Sequence, residues 1–259
     1  MSVRNFEVFL QTYLDVMDGH VVRPRGQECR ERLDYSFVLD MNDNPLTSFK
    51  ARNLNLRYAK EEFKWYLGAD RFDSTIEKYA TMWQKIRQPD GSYFSNYGQY
   101  IFPLQFDFVV NELTRDPDSR RACMVLLKPE HLFHENKDVV CTYALWFAIR
   151  NGFLHMSVMM RSNDVIFGTT NDVFCFAMLY RMVFAMVREN VAIRIGTYRH
   201  TVNSLHVYAR HYGMIEAIVN DGVSGYEEVA IPWPDVDEVK ATLKHQYMSG
   251  NGDWSEWLK

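Results

Sequence analysis

The sequence predicts an α+β protein built around a mixed β-sheet, and three observations support this prediction. Apolar residues recur at helical spacing over residues 6–17, which predicts an amphipathic helix. Apolar and polar residues alternate over residues 33–39, which predicts a strand. Residues 139–150 and 153–160 are strand-like runs joined by Asn151-Gly152, a dipeptide that favours a tight hairpin because both residues tolerate positive φ.

The other elements follow from the same criteria. In chain order they are a turn at 42–45, helices at 54–67 and 73–86, a turn at 89–91, a helix leading into Asp116, a helix at 172–188, a strand within 192–208 and a helix at 212–219. Gly19 is suited to end the first helix, and Asp172 is a candidate N-cap. This mixture predicts helices layered against the sheet.

The first strand of the hairpin is apolar on both faces. Leu145 and Phe147 belong to one face, and Ala144 and Trp146 belong to the other. A strand buried on both sides needs a helix layer on one face and a second layer on the other. A sheet from another subunit would supply that second layer, so we expect the sheet to pack against a partner's sheet in a homodimer.

Composition limits the class of protein. The 259 residues are 47% apolar, 24% charged and 15% aromatic, which is typical of a globular protein with a substantial core. Repeats and Pro/Ser-rich linkers are absent from the sequence, so one domain over residues 1–259 is expected. A net charge of -4 argues against direct nucleic-acid binding, and Arg or Asp interrupts the apolar stretches, so no membrane span is expected. The four cysteines lie far apart without metal-ligand spacing, which predicts free thiols in the cytoplasm and no metal site.

Cys141 is the candidate nucleophile. Taken alone, a free cysteine is more often a small buried hydrophobic residue. A nucleophilic cysteine needs a lowered pKa, and the hairpin would fold Arg161 back beside Cys141, where a guanidinium could lower the pKa of the thiol. Arg161 and Ser162 also offer a fork and a hydroxyl to a phosphate, although a solvated strand end explains them too. Arg120 and Arg121 add two cations, and such a pair usually lies at the surface.

Four further residues have both a functional and an ordinary explanation. His206 and Tyr208 would share one face of a strand and could hold a sugar hydroxyl, but such a pair is more often half-buried without a ligand. Glu62 would ordinarily be an exposed helix acid, and Tyr97 an aromatic residue of a turn.

The order of these motifs along the chain resembles the thymidylate synthase superfamily. The resemblance runs from about Arg25 to about Tyr212. The segments that carry it are Asp116-Pro117-Asp118-Ser119-Arg120-Arg121, Cys141, Arg161-Ser162-Asn163-Asp164-Val165-Ile166-Phe167-Gly168 and Ser204-Leu205-His206-Val207-Tyr208. The resemblance implies a thymidylate synthase-like mixed sheet layered with helices, in a homodimer.

Within this superfamily the sequence motifs are most similar to those of the phage deoxycytidylate hydroxymethylases. Ser95-Asn96-Tyr97-Gly98 and Ser204-Leu205-His206-Val207-Tyr208-Ala209-Arg210-His211 carry that similarity. Thymidylate synthases usually have histidine after the nucleophile, where this chain has Thr142. The ending Trp254-Ser255-Glu256-Trp257-Leu258-Lys259 lacks the short apolar ending that closes over folate in the synthases.

The resemblance also bears on the base that is bound. Synthases read uracil with an asparagine at the position that Asp172 occupies here. Cytosine offers an amino donor at position 4 and an acceptor at N3, the reverse of uracil. A carboxylate accepts from the amino group, and its protonated form or a bridging water serves N3. Asp172 therefore indicates a cytosine nucleotide, although it could instead be only a helix cap.

The resemblance implies a role for each candidate residue. Cys141 is the nucleophile, Glu62 relays protons, Tyr97 assists proton removal and Asp172 binds the base. The implied phosphate ligands are Arg161, Ser162, Arg25, and Arg120 and Arg121 of the partner subunit. His206 and Tyr208 would bind the sugar, and Asp164, Trp83 and Gly168 the folate.

The reaction implied is transfer of a one-carbon unit from 5,10-methylenetetrahydrofolate to C5 of dCMP, followed by hydration, without a metal. It would supply modified DNA precursors in the cytoplasm, that of the host if the chain is phage-encoded. Alternatives are a C5-methyltransferase of synthase type acting on dCMP, CMP or dUMP, and a nucleotide-binding relative without catalysis.

Overall fold

The computed structural model describes residues 4–249, so the C-terminal ending discussed above lies outside the described residues. Helices and strands are numbered separately in chain order. The helices are α1 (Asn5–Met17), α2 (Leu56–Gly68), α3 (Met82–Ile86), α4 (Gly98–Tyr100), α5 (Phe106–Arg115), α6 (Gly168–Arg188), α7 (Tyr212–Asp221) and α8 (Val236–Ser249). The strands are β1 (His20–Val22), β2 (Cys29–Asp40), β3 (Thr47–Phe49), β4 (Cys123–Val125), β5 (Thr142–Arg150), β6 (Phe153–Asp164), β7 (Arg194–Tyr208) and β8 (Tyr226–Glu228).

The described strands form a six-stranded mixed sheet and a two-stranded sheet, which confirms the α+β prediction. The large sheet has the order β1-β2-β7-β6-β5-β4, and β3 pairs with β8. All neighbouring strands of the large sheet are antiparallel except β6 and β7, which are parallel. Parallel pairing requires a crossover connection, and α6 provides it. The ends of β6 and β7 therefore lie side by side.

Helix α6 forms the centre of the core. It is buried nearly all round, because it packs against β6 on one side and against α2, α5 and α8 on the others. Length and apolar composition alone would allow α6 to cross a membrane, but 89% of its most apolar stretch is buried inside this protein. The hydrophobic character of α6 therefore reflects its central position in the fold.

The β5–β6 hairpin has the predicted turn. Arg150 pairs with Phe153, and Asn151 and Gly152 have φ values of 53° and 76°. Strand β5 begins at Thr142 rather than at residue 139, because the Arg161 guanidinium donates hydrogen bonds to the carbonyl groups of the two residues before Cys141. This departure from strand pairing leaves Cys141 at the open end of the hairpin.

Two other predictions are wrong. Residues 73–86 do not form one helix: a 3-10 turn spans Thr75–Lys78 and α3 begins only at Met82. The Asp73 carboxylate accepts hydrogen bonds from the backbone and hydroxyl of Thr75, and such local bonds compete with helix formation. Asp172 is not an N-cap, because α6 already begins at Gly168.

The face of the sheet that points away from α6 is open in the single chain. Ala144 and Trp146 of β5 are half-buried, while Leu145 and Phe147 on the opposite face are completely buried. Met159 of β6, also on the open face, is 45% exposed. The helix layer on one face is therefore present, and the second layer over β5 stays a prediction.

Candidate active site

The hairpin brings the guanidinium of Arg161 to the thiol of Cys141. The Arg161 backbone N–H donates to the Cys141 carbonyl at 2.8 Å, and Nη2 of Arg161 lies 3.4 Å from Cys141 Sγ. The same guanidinium donates to the carbonyls of Val139 at 2.6 Å and Val140 at 3.0 Å. It thus fixes the chain segment that carries the thiol.

Burial raises the pKa of the Cys141 thiol, and the Arg161 and Arg25 guanidinium groups oppose that rise. The carboxyls of Asp172 and Asp138 act in the same direction as burial. As a whole residue Cys141 is nevertheless only half-buried. The surroundings suit a nucleophile that ionises when a substrate arrives.

Asp172 lies in the first turns of α6 and is held by the end of β6. Asn163 donates a hydrogen bond from Nδ2 to Oδ2 of Asp172 at 2.6 Å. The amide oxygen of Asn163 in turn accepts a hydrogen bond from the Thr169 hydroxyl at 2.5 Å. Burial raises the pKa of Asp172 to about 7, and the Asn163 hydrogen bond opposes that rise. The carboxyl can therefore be protonated or ionised near neutral pH.

Gly168 makes the contact between Asn163 and Asp172 possible. A Cβ atom at residue 168 would lie 2.7 Å from Nδ2 of Asn163 and 3.5 Å from Oδ2 of Asp172. Contacts under 3 Å force a neighbour to move, so any larger residue would displace the amide. This structural role of Gly168 is separate from the predicted contact with folate, which stays a prediction.

Glu62 and Tyr97 complete the polar centre. The Glu62 side chain is 6% exposed and its Oε1 accepts a hydrogen bond from the Tyr66 hydroxyl at 3.4 Å. Burial, followed by the charge of Asp172, raises the pKa of Glu62 to about 8. Burial and the charges of Cys141 and Asp172 raise the pKa of Tyr97. These mutual effects show that the candidate nucleophile, the two acids and the tyrosine belong to one cluster.

Asn96 and Gly98 hold the Tyr97 segment against α2. The Asn96 side chain donates to the carbonyls of Trp65 at 3.1 Å and Asp70 at 3.0 Å. A Cβ atom at Gly98 would clash with the Tyr66 carbonyl, so glycine allows the segment to approach the helix. The Tyr97 ring lies 5.2 Å from the Tyr66 ring. The predicted turn aromatic is therefore a buried residue beside Glu62.

Only some of the predicted phosphate ligands reach this cluster within one chain. Arg25, with φ of 52° in the exposed loop after β1, is close enough to lower the pKa of Cys141 against the effect of burial. Ser162 pairs with Ser204 at the ends of β6 and β7. Ala122 bonds to Phe147, so Arg120 and Arg121 lie near the far end of β5, roughly 20 Å from Cys141. A role for this exposed pair in the site would require another subunit.

His206 and Tyr208 lie at the end of β7 on one face, as the alternation predicted. Their rings are 5.2 Å apart at an interplanar angle of 88°. His206 is paired in register with Asp164 of β6, and its carbonyl accepts a hydrogen bond from Val165 at 2.9 Å. The sugar-binding candidates and a folate-binding candidate therefore flank the same pair of strand ends.

The predicted folate residues lie at different depths. Asp164 Oδ1 accepts hydrogen bonds from the backbone N–H groups of Ile166 and Phe167, so this oxygen shapes the turn into α6. Trp83 is 4% exposed, and its indole N–H donates to the Tyr58 hydroxyl at 3.1 Å. The exposed aromatic ring at the turn beside Asp164 is instead that of Phe167, which is 51% exposed. Sequence reasoning assigned no role to Phe167.

Sequence reasoning also gave no role to Asn163 or Asp138. Asp138 is buried and accepts hydrogen bonds from the Ser95 backbone at 2.8 Å and the Ser95 hydroxyl at 2.5 Å. It thereby ties the segment before Cys141 to the segment before Tyr97. A polar residue three positions before a cysteine is no signal by itself, and only the fold reveals these contacts. Among residues 4–249 there is no group of three His, Cys, Asp or Glu side chains arranged to hold a metal ion.

Comparison with known proteins agrees with this geometry. A profile of the thymidylate synthase family matches residues 8–242. The chain belongs to the thymidylate synthase family. It is therefore an enzyme of the thymidylate synthase type, in which a one-carbon unit is transferred to a nucleotide. The resemblance drawn from the ordered motifs is confirmed.

Individual family members are similar to different extents. Deoxycytidylate 5-hydroxymethyltransferase of Enterobacteria phage T2 is 31% identical over 237 residues, covering 86% of this chain and 92% of the phage protein. Deoxyuridylate hydroxymethyltransferase of Bacillus phage SP01 is 28% identical over 226 residues, covering 78% of this chain and 58% of the phage protein. The structure of thermostable thymidylate synthase A from Bacillus subtilis superposes with a TM-score of 0.67 at 19% identity, covering 93% of this chain and 84% of that one. This last likeness supports the shared fold.

Proposed function

We propose that this enzyme is a deoxycytidylate hydroxymethylase. It would transfer a one-carbon unit from 5,10-methylenetetrahydrofolate to C5 of dCMP and hydrate the product to 5-hydroxymethyl-dCMP. The observation that carries the proposal is the carboxyl of Asp172, held beside Cys141 by Asn163. The similarity to the phage T2 deoxycytidylate enzyme over most of both chains supports the same substrate.

The carboxyl of Asp172 suits a cytosine edge. Its pKa of about 7 makes a protonated form available at neutral pH. A protonated carboxyl accepts a hydrogen bond from the 4-amino group and donates one to N3. A buried polar site of this kind rejects the wrong base, because mismatched donors and acceptors stay unpaired. Base recognition would therefore follow from one side chain.

The chemistry proposed for Cys141 begins with its thiolate. The sulfur forms a bond to C6 of the base, and the electron pair of the C5–C6 bond makes C5 nucleophilic. C5 would attack the one-carbon unit of methylenetetrahydrofolate, and the bond from that carbon to the folate nitrogen would then break, so that tetrahydrofolate leaves and an exocyclic methylene forms as the C5 proton is lost. Tyr97 assists removal of the C5 proton, and Glu62, whose pKa is about 8, relays protons because it can release and take back its proton near neutral pH. Water then adds to the exocyclic methylene, and the bond to Cys141 breaks to restore the thiolate.

The surface around Asp164 and Phe167 fits a flat heterocycle such as the pterin of folate. Phe167 presents a half-exposed ring that packs on the Arg52 guanidinium, 5.6 Å from the ring centre. Asp164 sits at the same turn with a partly exposed carboxylate, which can accept hydrogen bonds from ring N–H groups. Gly168, which has no side chain, lies beside them at the start of α6. Trp83 is buried more deeply and would contribute to the folate site indirectly, through its hydrogen bond to Tyr58.

The proposed enzyme is a homodimer in which Arg120 and Arg121 of one subunit hold the phosphate of the other. Three observations support this arrangement: the open face of the sheet at Ala144 and Trp146, the exposure of both arginines, and their distance from the Cys141 of their own chain. Arg161, Ser162 and Arg25 would hold the same phosphate within the subunit. The free thiols of all four cysteines support a cytoplasmic location, that of a host cell if the chain is phage-encoded.

The decisive experiment incubates the protein with dCMP, dUMP or CMP and methylenetetrahydrofolate, and analyses the products by mass spectrometry. We expect dCMP to gain one hydroxymethyl group without formation of dihydrofolate. A methyl product with dihydrofolate would instead identify a synthase-type methyltransferase. If the enzyme preferred CMP, the proposed substrate would be the ribonucleotide instead of the deoxynucleotide. Turnover of dUMP alone would favour the second candidate, a deoxyuridylate hydroxymethylase, to which the similarity with the phage SP01 enzyme points.

Two variants test the proposed roles. Cys141→Ser should abolish turnover while nucleotide binding is largely kept, whereas an unaffected activity would indicate a relative that works without this nucleophile. Asp172→Asn should shift preference from dCMP toward dUMP, because the amide complements the uracil edge. An unchanged preference would remove the argument for cytosine.

A further inference from the structure

The carboxyl of Asp172 is asymmetric in this structure. Its Oδ2 accepts the hydrogen bond from Asn163 at 2.6 Å, and in the described part of the chain Asn163 is the residue that donates to this carboxyl. The Asn163 amide cannot turn over freely, because its oxygen accepts from the buried Thr169 hydroxyl at 2.5 Å. Thr169 therefore fixes Nδ2 as the group that faces Asp172.

This asymmetry matters because a protonated carboxyl can recognise either base. With the proton on one oxygen, the group donates at one position and accepts at the other. Moving the proton to the other oxygen reverses that pattern. Cytosine and uracil differ by the same reversal, since N3 accepts and the 4-amino group donates in cytosine, while N3–H donates and O4 accepts in uracil. A carboxyl with two equivalent oxygens would therefore distinguish the two bases poorly.

We propose that Asn163 is the positioning residue that sets base specificity, because its amide keeps Oδ2 of Asp172 unprotonated and leaves the proton to Oδ1. An oxygen that already accepts an N–H bond is the less favourable site for a proton. The carboxyl then presents one fixed order of acceptor and donor to the base. This inference rests on the proposed function, in which that order matches cytosine.

The hydrogen bond that Asp172 accepts in the described part of the chain comes from Asn163, and the other groups around it interact with it through charge. The titratable side chains that interact with it come from α2, the Tyr97 segment, the start of β5, α6 itself and β7. They are Glu62, Tyr66, Tyr97, Cys141, Cys175 and Tyr198. The pKa of each of them is raised, chiefly by burial, so none of these side chains carries a positive charge, and the Arg161 guanidinium adjoins the group at Cys141. Gly168 adds to the arrangement, since its missing Cβ leaves the room that the Asn163 amide occupies.

The test is the ratio of kcat/KM for dCMP to that for dUMP in Asn163→Leu. Leucine has the same branched arrangement of heavy atoms as asparagine but donates no hydrogen bond, so both oxygens of Asp172 become equivalent toward the proton. We expect the ratio to fall about tenfold or more, with activity on dUMP kept or increased. Thr169→Val should change the ratio in the same direction by a smaller factor, because the amide can then turn over.

The control is Asn5→Leu, an equally buried asparagine far from the site. The Asn5 amide donates to the carbonyls of Asp40 and Asn44 at 2.9 Å each, so its loss removes comparable hydrogen bonds. It should lower stability and leave the ratio unchanged, which separates specificity from structural damage. If Asn163→Leu does not fold, Thr169→Val carries the test.

The outcomes distinguish the two proposals. A wild-type enzyme that prefers dCMP, with the same ratio in folded Asn163→Leu and Thr169→Val, would overturn the role of Asn163 alone. A wild-type enzyme that prefers dUMP would overturn the proposed substrate. In that case the proposed role of Asn163 would still predict that Asn163→Leu and Thr169→Val both bring the dCMP to dUMP ratio of kcat/KM closer to one.

Discussion

Replacing Arg161 with glutamine should make Cys141 markedly less reactive at neutral pH. The guanidinium lies 3.4 Å from the sulfur. Two unit charges at that distance attract each other by about 1.2 kcal/mol in water and about 5 kcal/mol at an effective dielectric constant of 20. The lower figure alone reduces the thiolate population at neutral pH by about eightfold. Because the thiol is half-buried, the loss should exceed that minimum.

The assay is alkylation of Cys141 by iodoacetamide as a function of pH, with peptide mapping to separate it from the partly exposed Cys123. The rate at high pH, where the thiol is ionised in every variant, corrects for changes in access. Arg161 also holds the carbonyls of Val139 and Val140, so Arg161→Lys serves as a control that keeps the charge without the fork. Equal ratios of neutral-pH to high-pH rate in wild type, Arg161→Gln and Arg161→Lys would refute the electrostatic reasoning.

Two other predictions follow from the buried acids and the start of α6. The pKa of Glu62 is about 8 when folded against 4.5 unperturbed, so the folded state binds a proton that the unfolded state has lost, and stability should fall as pH rises from about 4.5 to about 8. Denaturant titrations should show that Glu62→Gln removes up to about 5 kcal/mol of this fall, and an identical slope in wild type and variant would contradict the assignment. Gly168→Ala places a Cβ 2.7 Å from the Asn163 amide and should reduce the dCMP to dUMP preference as Asn163→Leu does, although alanine favours the helix. An unchanged preference measured by kcat/KM would show that the amide finds another position.

The parts of the structure that sequence alone predicted are those governed by local rules. Asn151-Gly152 specifies a two-residue turn, and antiparallel register counted from that turn places Arg161 opposite Thr142, next to Cys141. Counting residues back from the turn thus brings the cation near the nucleophile, whereas the pairing of Arg161 with Cys141 itself comes from a β-bulge between Thr142 and Ala144, which no local pattern specifies. His206 and Tyr208 share a face for the same reason, since side chains alternate along a strand.

The parts that escaped prediction depend on where a helix starts and on contacts between distant segments. The sequence makes Asp172 a candidate cap because it precedes an apolar run, but α6 begins earlier, at Gly168, and carries Asp172 to the amide of Asn163. Trp83 is enclosed by Trp65 and Tyr93, with ring centres at 4.8 Å and 6.2 Å, which no local pattern specifies. Asp138 reaches Ser95 across a separation of 43 residues.

The residue proposed to read the base also affects the pKa of the proposed nucleophile. Ionised Asp172 raises the pKa of Cys141, so a charge on this carboxyl opposes formation of the thiolate. A cytosine edge that keeps Asp172 protonated removes that opposition, whereas an unmatched base leaves the carboxyl free to ionise. Arg161, which stabilises the thiolate, then acts against burial and Asp138 only. Under the proposed function, recognition of the correct base and activation of the sulfur would thus be coupled through the charge of a single carboxyl, and the Asn163 hydrogen bond, which opposes the rise in the pKa of Asp172, acts on that same charge.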